Sequence, residues 1–63
     1  MNLQERKLSL ISGVKEEREY VKKEGSLSKN LEAEYNFIIE DIETCNNEEE
    51  LLVIEKFFQH WLE

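Results

Sequence analysis

Proline is absent from this chain, glycine occurs twice and cysteine once. Too few turn-forming residues remain for the many short strands of a β-sandwich or barrel. A single cysteine, Cys45, rules out a disulfide framework and a thiol-rich metal site. No stretch approaches the roughly 20 apolar residues needed to cross a bilayer. The apolar run Leu8-Ser9-Leu10-Ile11 is short and soon gives way to Lys15-Glu16-Glu17-Arg18-Glu19, unlike a secretory h-region. With a lone thiol suited to a reducing compartment, these features lead us to expect a cytoplasmic protein.

What is present must fold with little material. A chain of 63 residues is one domain at most and buries only about 60% of its unfolded surface. Without a staple or metal, helix packing or oligomerisation has to supply the stability. An apolar content of 40% is too high for a disordered segment.

Charge divides the chain unevenly. Residues 1–27 hold six basic groups (Arg6, Lys7, Lys15, Arg18, Lys22, Lys23) against five acidic ones (Glu5, Glu16, Glu17, Glu19, Glu24), a net of +1. Residues 28–63 hold ten acidic groups against Lys29 and Lys56, a net of −8. Such a surface repels a phosphate backbone and an anionic membrane alike. Its complement is a basic protein surface.

Periodicity predicts helices throughout. In the first segment Asn2 and Glu5 have the spacing of an N-cap and its capping-box partner. Leu3, Leu10, Ile11, Val14 and Val21 share one face at 100° per residue. Lys7 and Arg18 interrupt that stripe, and Ser12-Gly13 falls mid-segment, where glycine costs about 1 kcal/mol relative to alanine. Either one helix with a weak spot or two pieces bent at Ser12-Gly13 satisfies the pattern. Lys22-Lys23 followed by Gly25 reads as a stop. Ser28 then caps a second helix whose Leu27, Leu31, Tyr35, Ile38, Ile39, Ile42 and Cys45 fall within about 120° of arc, with Phe37 pointing away. Asn46-Asn47 breaks the pattern, and Asn47 with Glu50 is a second capping-box match. The third helix, from about Glu48 to Leu62, places Leu51, Ile54, Phe57, Phe58, Trp61 and Leu62 on one face, Val53 at its margin and Leu52 off it. The expected fold is all-α, a single domain over residues 1–63. An acidic antiparallel hairpin (27–62) is joined by an N-terminal helix (within 1–25), as a three-helix bundle or a helical homodimer.

Chemistry is poorly supported. His60 and Glu63 offer two ligands at i, i+3, but metal sites need three or four convergent ones, and Cys45 would lie near the other end of the hairpin. Cys45 has acidic sequence neighbours, the opposite of what activates a thiolate, so a small buried apolar role is favoured. The carboxylates Glu40, Asp41 and Glu43 lack the glycine-turned loop that holds calcium. No phosphate loop, Ser/His/Asp set or His-Glu-x-x-His is present. Neither an enzyme nor a cofactor is expected. Lys15, Arg18 and Lys22 form a basic stripe at i, i+3, i+7, too diluted by Glu16, Glu17, Glu19 and Glu24 for strong nucleic-acid binding. Its better complement is the chain's own acidic half, in the monomer or across a dimer.

These features lead to the expectation of a non-catalytic protein-binding module, a small acidic regulator or inhibitor that occludes a basic target. Glu32, Glu40, Asp41, Glu43 and Glu55 would steer the partner, and Phe57, Phe58 and Trp61 would anchor it. Acidic helical surfaces can imitate a nucleic-acid backbone, so a DNA-binding or nucleic-acid-processing protein is the partner class ranked first. A homodimer is expected because this much aromatic surface exceeds what a short hairpin covers. The alternative is a structural module whose main partner is itself.

Overall fold

The computed structural model describes residues 2–62, with side chains through His60. Three helices and no strand occur among them: α1 (Leu3–Lys23), α2 (Lys29–Thr44) and α3 (Glu48–Leu62). They pack as a bundle in which α1 lies most extensively on α2 and α3 touches both. The particle measures 35 × 20 × 16 Å. Its long axis is set by α1, whose 21 residues rise about 32 Å.

Each helix begins where a side chain satisfies otherwise orphaned N–H groups. Asn2 Oδ1 accepts from the Glu5 N–H at 2.8 Å, Ser28 Oγ from Leu31 at 3.1 Å, and Asn47 Oδ1 from Glu50 at 2.8 Å. The Glu50 carboxylate reaches back, as the capping box expects, but to the Asn46 N–H (3.1 Å). It thereby ties the connection between α2 and α3 to the first turn of α3. At the other end of α1, Gly25 takes φ +77°. Its N–H donates to the Lys22 carbonyl and that of Ser26 to the Val21 carbonyl, at 3.0 and 3.1 Å, the paired bonds of a Schellman stop.

α1 runs unbroken through Ser12-Gly13, which decides between the two patterns the sequence allowed. The core is gripped on both sides of the weak spot, by Leu10 and Ile11 before it and by the fully buried Val14 after it. Burying a residue of this size is worth about 1.5–3 kcal/mol, more than the glycine costs. Local propensity is overruled by packing.

The core gathers Val14 from α1, Tyr35, Ile38, Ile39 and Ile42 from α2, Cys45, and Leu51 and Phe58 from α3. α2 presents the expected stripe, with Phe37 outside it. One assignment on α3 is corrected. Phe57 is not on the core face: it is 61% exposed, whereas Phe58 is 5% exposed. Leu51, Ile54 and Phe58 already fill the arc facing α1 and α2, which turns Phe57 outward with Val53. Trp61 and Leu62 continue the helix, but their side chains, like Glu63, lie outside the described residues.

The two glycines predict opposite effects. A methyl group at Gly13 meets no atom within 4 Å, so Gly13→Ala is expected to stabilise by about 0.5–1 kcal/mol. That corresponds to about 2–8 °C in the melting temperature of a domain this small. At Gly25 the positive φ makes any Cβ unfavourable, and Gly25→Ala is expected to cost about 1–2 kcal/mol. Thermal melts followed by circular dichroism measure both. A fall in the melting temperature of Gly13→Ala would mean that α1 is not a continuous helix in solution.

Candidate functional site

A bundle of three helices has three seams, and the charged side chains are distributed differently over each. Along the α1–α2 seam the basic residues of α1 reach across. Arg18 Nη1 donates to Asn36 Oδ1 at 2.7 Å, and Lys7 Nζ donates to the Glu43 carbonyl at 3.3 Å. Residue numbers rise along α1 as they fall along α2, so these helices are antiparallel. Lys7 and Arg18, which interrupt the apolar stripe in sequence, are half-buried, and their charged heads reach polar partners on α2. Lys15 and Arg18 share a groove with Asn36, Glu40 and Glu43. Arg18 and Lys22 share another with Glu32. The basic stripe thus meets the acidic half within one chain, although its shortest polar contact is to an asparagine rather than a carboxylate.

The α1–α3 seam is bridged by Arg6 and Glu48, whose Nη1 and Oε1 are 3.8 Å apart. Glu55 lies in this seam, in a groove shared with Arg6, Ser9, Leu10, Gly13, Phe58 and Gln59. An ion pair this exposed contributes little, about 0–1 kcal/mol.

The α2–α3 seam has a different character. Its groove is lined by Asp41, Thr44, Cys45, Glu50, Val53 and Ile54: two carboxylates and no basic side chain. On this flank Val53 is 67% exposed. Phe37 stands one turn before Asp41 on α2, and Phe57 one turn after Val53 on α3. Residues four apart share a helix face, so each aromatic ring continues the flank on its own helix. Phe37 is 62% exposed, as open as Phe57. Glu34, also exposed, lies on the same side of α2, three residues before Phe37.

The five carboxylates expected to act together are therefore parted. Glu32, Glu40 and Glu43 line the α1–α2 seam beside basic residues, Glu55 the α1–α3 seam, and Asp41 alone the α2–α3 groove. The aromatic set is parted too. Phe58 belongs to the core, Phe57 is exposed, and the Trp61 side chain lies outside the described residues. Sequence reasoning placed Phe37 off the α2 stripe and Val53 at the margin of the α3 face but put neither in the binding set. The available signal was their shared position just beyond the apolar arcs of two neighbouring helices.

Tyr35 on α2 has a displaced pKa. Burial pushes its phenol above the ordinary value of 10.0, and the negative charge of Glu17 on α1 adds to the effect. Cys45 is a buried free thiol. Among the described residues no three His, Cys, Asp or Glu side chains converge on a metal-sized site, and no helix is long and apolar enough to cross a membrane. Compared with known protein families, with characterised proteins and with solved structures, the chain matches none of them.

Proposed function

We propose that this protein is a non-catalytic protein-binding module, a small acidic regulator that occludes a basic surface on its target. The observation that carries the reading is the exposure of Phe37, Val53 and Phe57 beside a groove whose only charged linings are carboxylates. An apolar centre with a charged rim is the anatomy of a binding patch. Exposed phenylalanines on a chain this short are costly to leave in water unless something covers them. In this reading α2 and α3 form an antiparallel hairpin, as their three-residue link and common groove support. Phe57 anchors the partner and Asp41 steers it. Phe58 holds the core instead, and Glu32, Glu40, Glu43 and Glu55 divide their charge between the target and the chain's own cations. Proteins that bind nucleic acids present the basic surfaces that such a regulator suits, and they remain the partner class ranked first.

The reading is tested by capture from a native lysate on immobilised protein. Wild type is expected to retain a stoichiometric partner that elutes with salt, because exposed charges are screened over about 8 Å at physiological ionic strength. Phe57→Ala, and separately the pair Glu34→Lys and Asp41→Lys, should lose that partner while helicity is unchanged. Capture that is indifferent to salt and to both variants would remove the basis of this reading.

A second reading, self-assembly, draws on a different face. Leu8 and Tyr20 are exposed on the outside of α1, in a shallow groove where Lys15 and Lys23 balance Glu16 and Glu19. That face suits a second copy electrostatically, whereas the α2–α3 flank would oppose like charges. Light scattering over a concentration series separates the two. Dimerisation that survives Phe57→Ala but not Leu8→Glu would assign α1 to the homodimer.

A further inference from the structure

The binding reading leaves open what kind of element the target presents. Resting on that reading, we infer that the α2–α3 groove receives a cationic amphipathic helix of the target, which lies along it as a fourth helix of the bundle.

The three seams differ in what they can still accept. Two are crossed by the chain's own side chains: Lys7 and Arg18 over α1–α2, and Arg6 with Glu48 over α1–α3. The third is crossed by no cation among the described residues and ends in exposed rings on both walls. From Glu50 to Phe57 the α3 wall rises about 10 Å, two helical turns. That length takes apolar anchors spaced i, i+3 or i+4, and i+7, the signature of helix-in-groove recognition.

The groove walls exclude the common alternative. Both are helices whose backbone groups are bonded internally, so no free edge exists for an added strand. Recognition must use side chains, and the ridges of a helix fit the depression between two others. Charge then chooses the helix. Asp41 and Glu50 line the groove, and the segment from residue 28 onward carries a net −8. A second copy offering the same flank would set carboxylate against carboxylate. A helix with lysine or arginine beside its apolar stripe would set cation against each.

The test uses three synthetic 18-residue peptides and the full chain. The first has leucines on one helical face flanked by lysines. The second keeps the leucines and replaces lysine with glutamate. The third keeps the composition of the first but carries two central prolines, which break the helix. Binding is read by fluorescence anisotropy of the labelled peptide, with amide chemical shifts of the protein locating the contact.

The lysine peptide is expected to bind and to shift Asp41, Val53 and Phe57, and the other two to bind at least about tenfold more weakly. Phe57→Ala, which leaves net charge unchanged, should weaken the lysine peptide by about tenfold or more. Glu16→Gln, on the outer face of α1, should leave it within about twofold. Equal binding of the proline peptide, or a Phe57→Ala variant that binds as wild type does, would overturn the inference in favour of diffuse charge attraction. The glutamate peptide binding as well as the lysine peptide would overturn the cationic assignment. If no peptide binds but the lysate partner is still lost with Phe57→Ala, helical recognition is wrong and the binding-module reading stands. If that partner is also indifferent to Phe57→Ala, both fall.

Discussion

Alanine in place of Ile42 is expected to cost about 2–5 kcal/mol. Ile42 has no exposed surface, and it packs where α1, α2 and α3 meet. The whole chain, at about 0.05–0.15 kcal/mol per residue, has only about 3–9 kcal/mol of stability to lose. The variant should therefore be partly or wholly unfolded at room temperature, with helical circular dichroism collapsing and the urea midpoint falling towards zero. Leu51→Ala, fully buried on α3, should behave alike. Phe57→Ala is the contrast: a larger side chain is removed, yet the ring is exposed, and the change should stay within about 0.5 kcal/mol. If Ile42→Ala melts with wild type, or Phe57→Ala unfolds the chain, the assignment of core and surface is wrong.

Alkaline pH should destabilise the fold through Tyr35. Its phenol ionises at a higher pH in the folded chain than in the unfolded one, because burial, and then the Glu17 carboxylate, disfavour phenolate. Below about pH 10 both states hold the proton and the group leaves stability unchanged. Above it the unfolded chain releases the proton first, so the unfolded state is favoured by up to about 1.4 kcal/mol per pH unit. The loss levels off once the folded-state pKa is passed. To isolate the contribution of this one phenol, the measurement is a difference: urea unfolding of wild type and Tyr35→Phe at steps from about pH 8 to 11.5. The gap between the two curves should change with pH, wild type losing stability more steeply. Parallel curves would mean that Tyr35 is not buried beside Glu17 in solution.

The helices and their ends were legible because they are set locally. Asn2, Ser28 and Asn47 each sit three residues before the N–H they cap, and Gly25 follows two lysines at a helix end. The stripe of α2 was legible because its apolar residues crowd one arc with charges opposite. α3 was less so. Leu51, Leu52, Val53, Ile54, Phe57 and Phe58 cover more arc than one neighbour can bury, and only the positions of α1 and α2 decide that Phe58 turns in and Phe57 out. The continuity of α1 was hidden for a related reason, since the burial of Val14 depends on α2 and α3 being present. The acidic residues looked like one face because sequence shows their number without showing which seam each enters. Arg18 found Asn36, an uncharged partner that charge counting does not reveal.

The position of Cys45 has a kinetic consequence. It closes α2, its N–H donating to the Ile42 carbonyl at 3.4 Å, and its side chain is buried where the chain turns towards α3. α3 is held less extensively than α1 and α2 hold each other, and the least-held element of a small fold is the one that lifts away first. Each such excursion uncovers the thiol. Because no other cysteine exists in the chain, the rate at which an alkylating reagent consumes the thiol group counts those excursions directly. The molecule carries its own clock for the departure of its third helix, and anything that pins α3 in place must slow it.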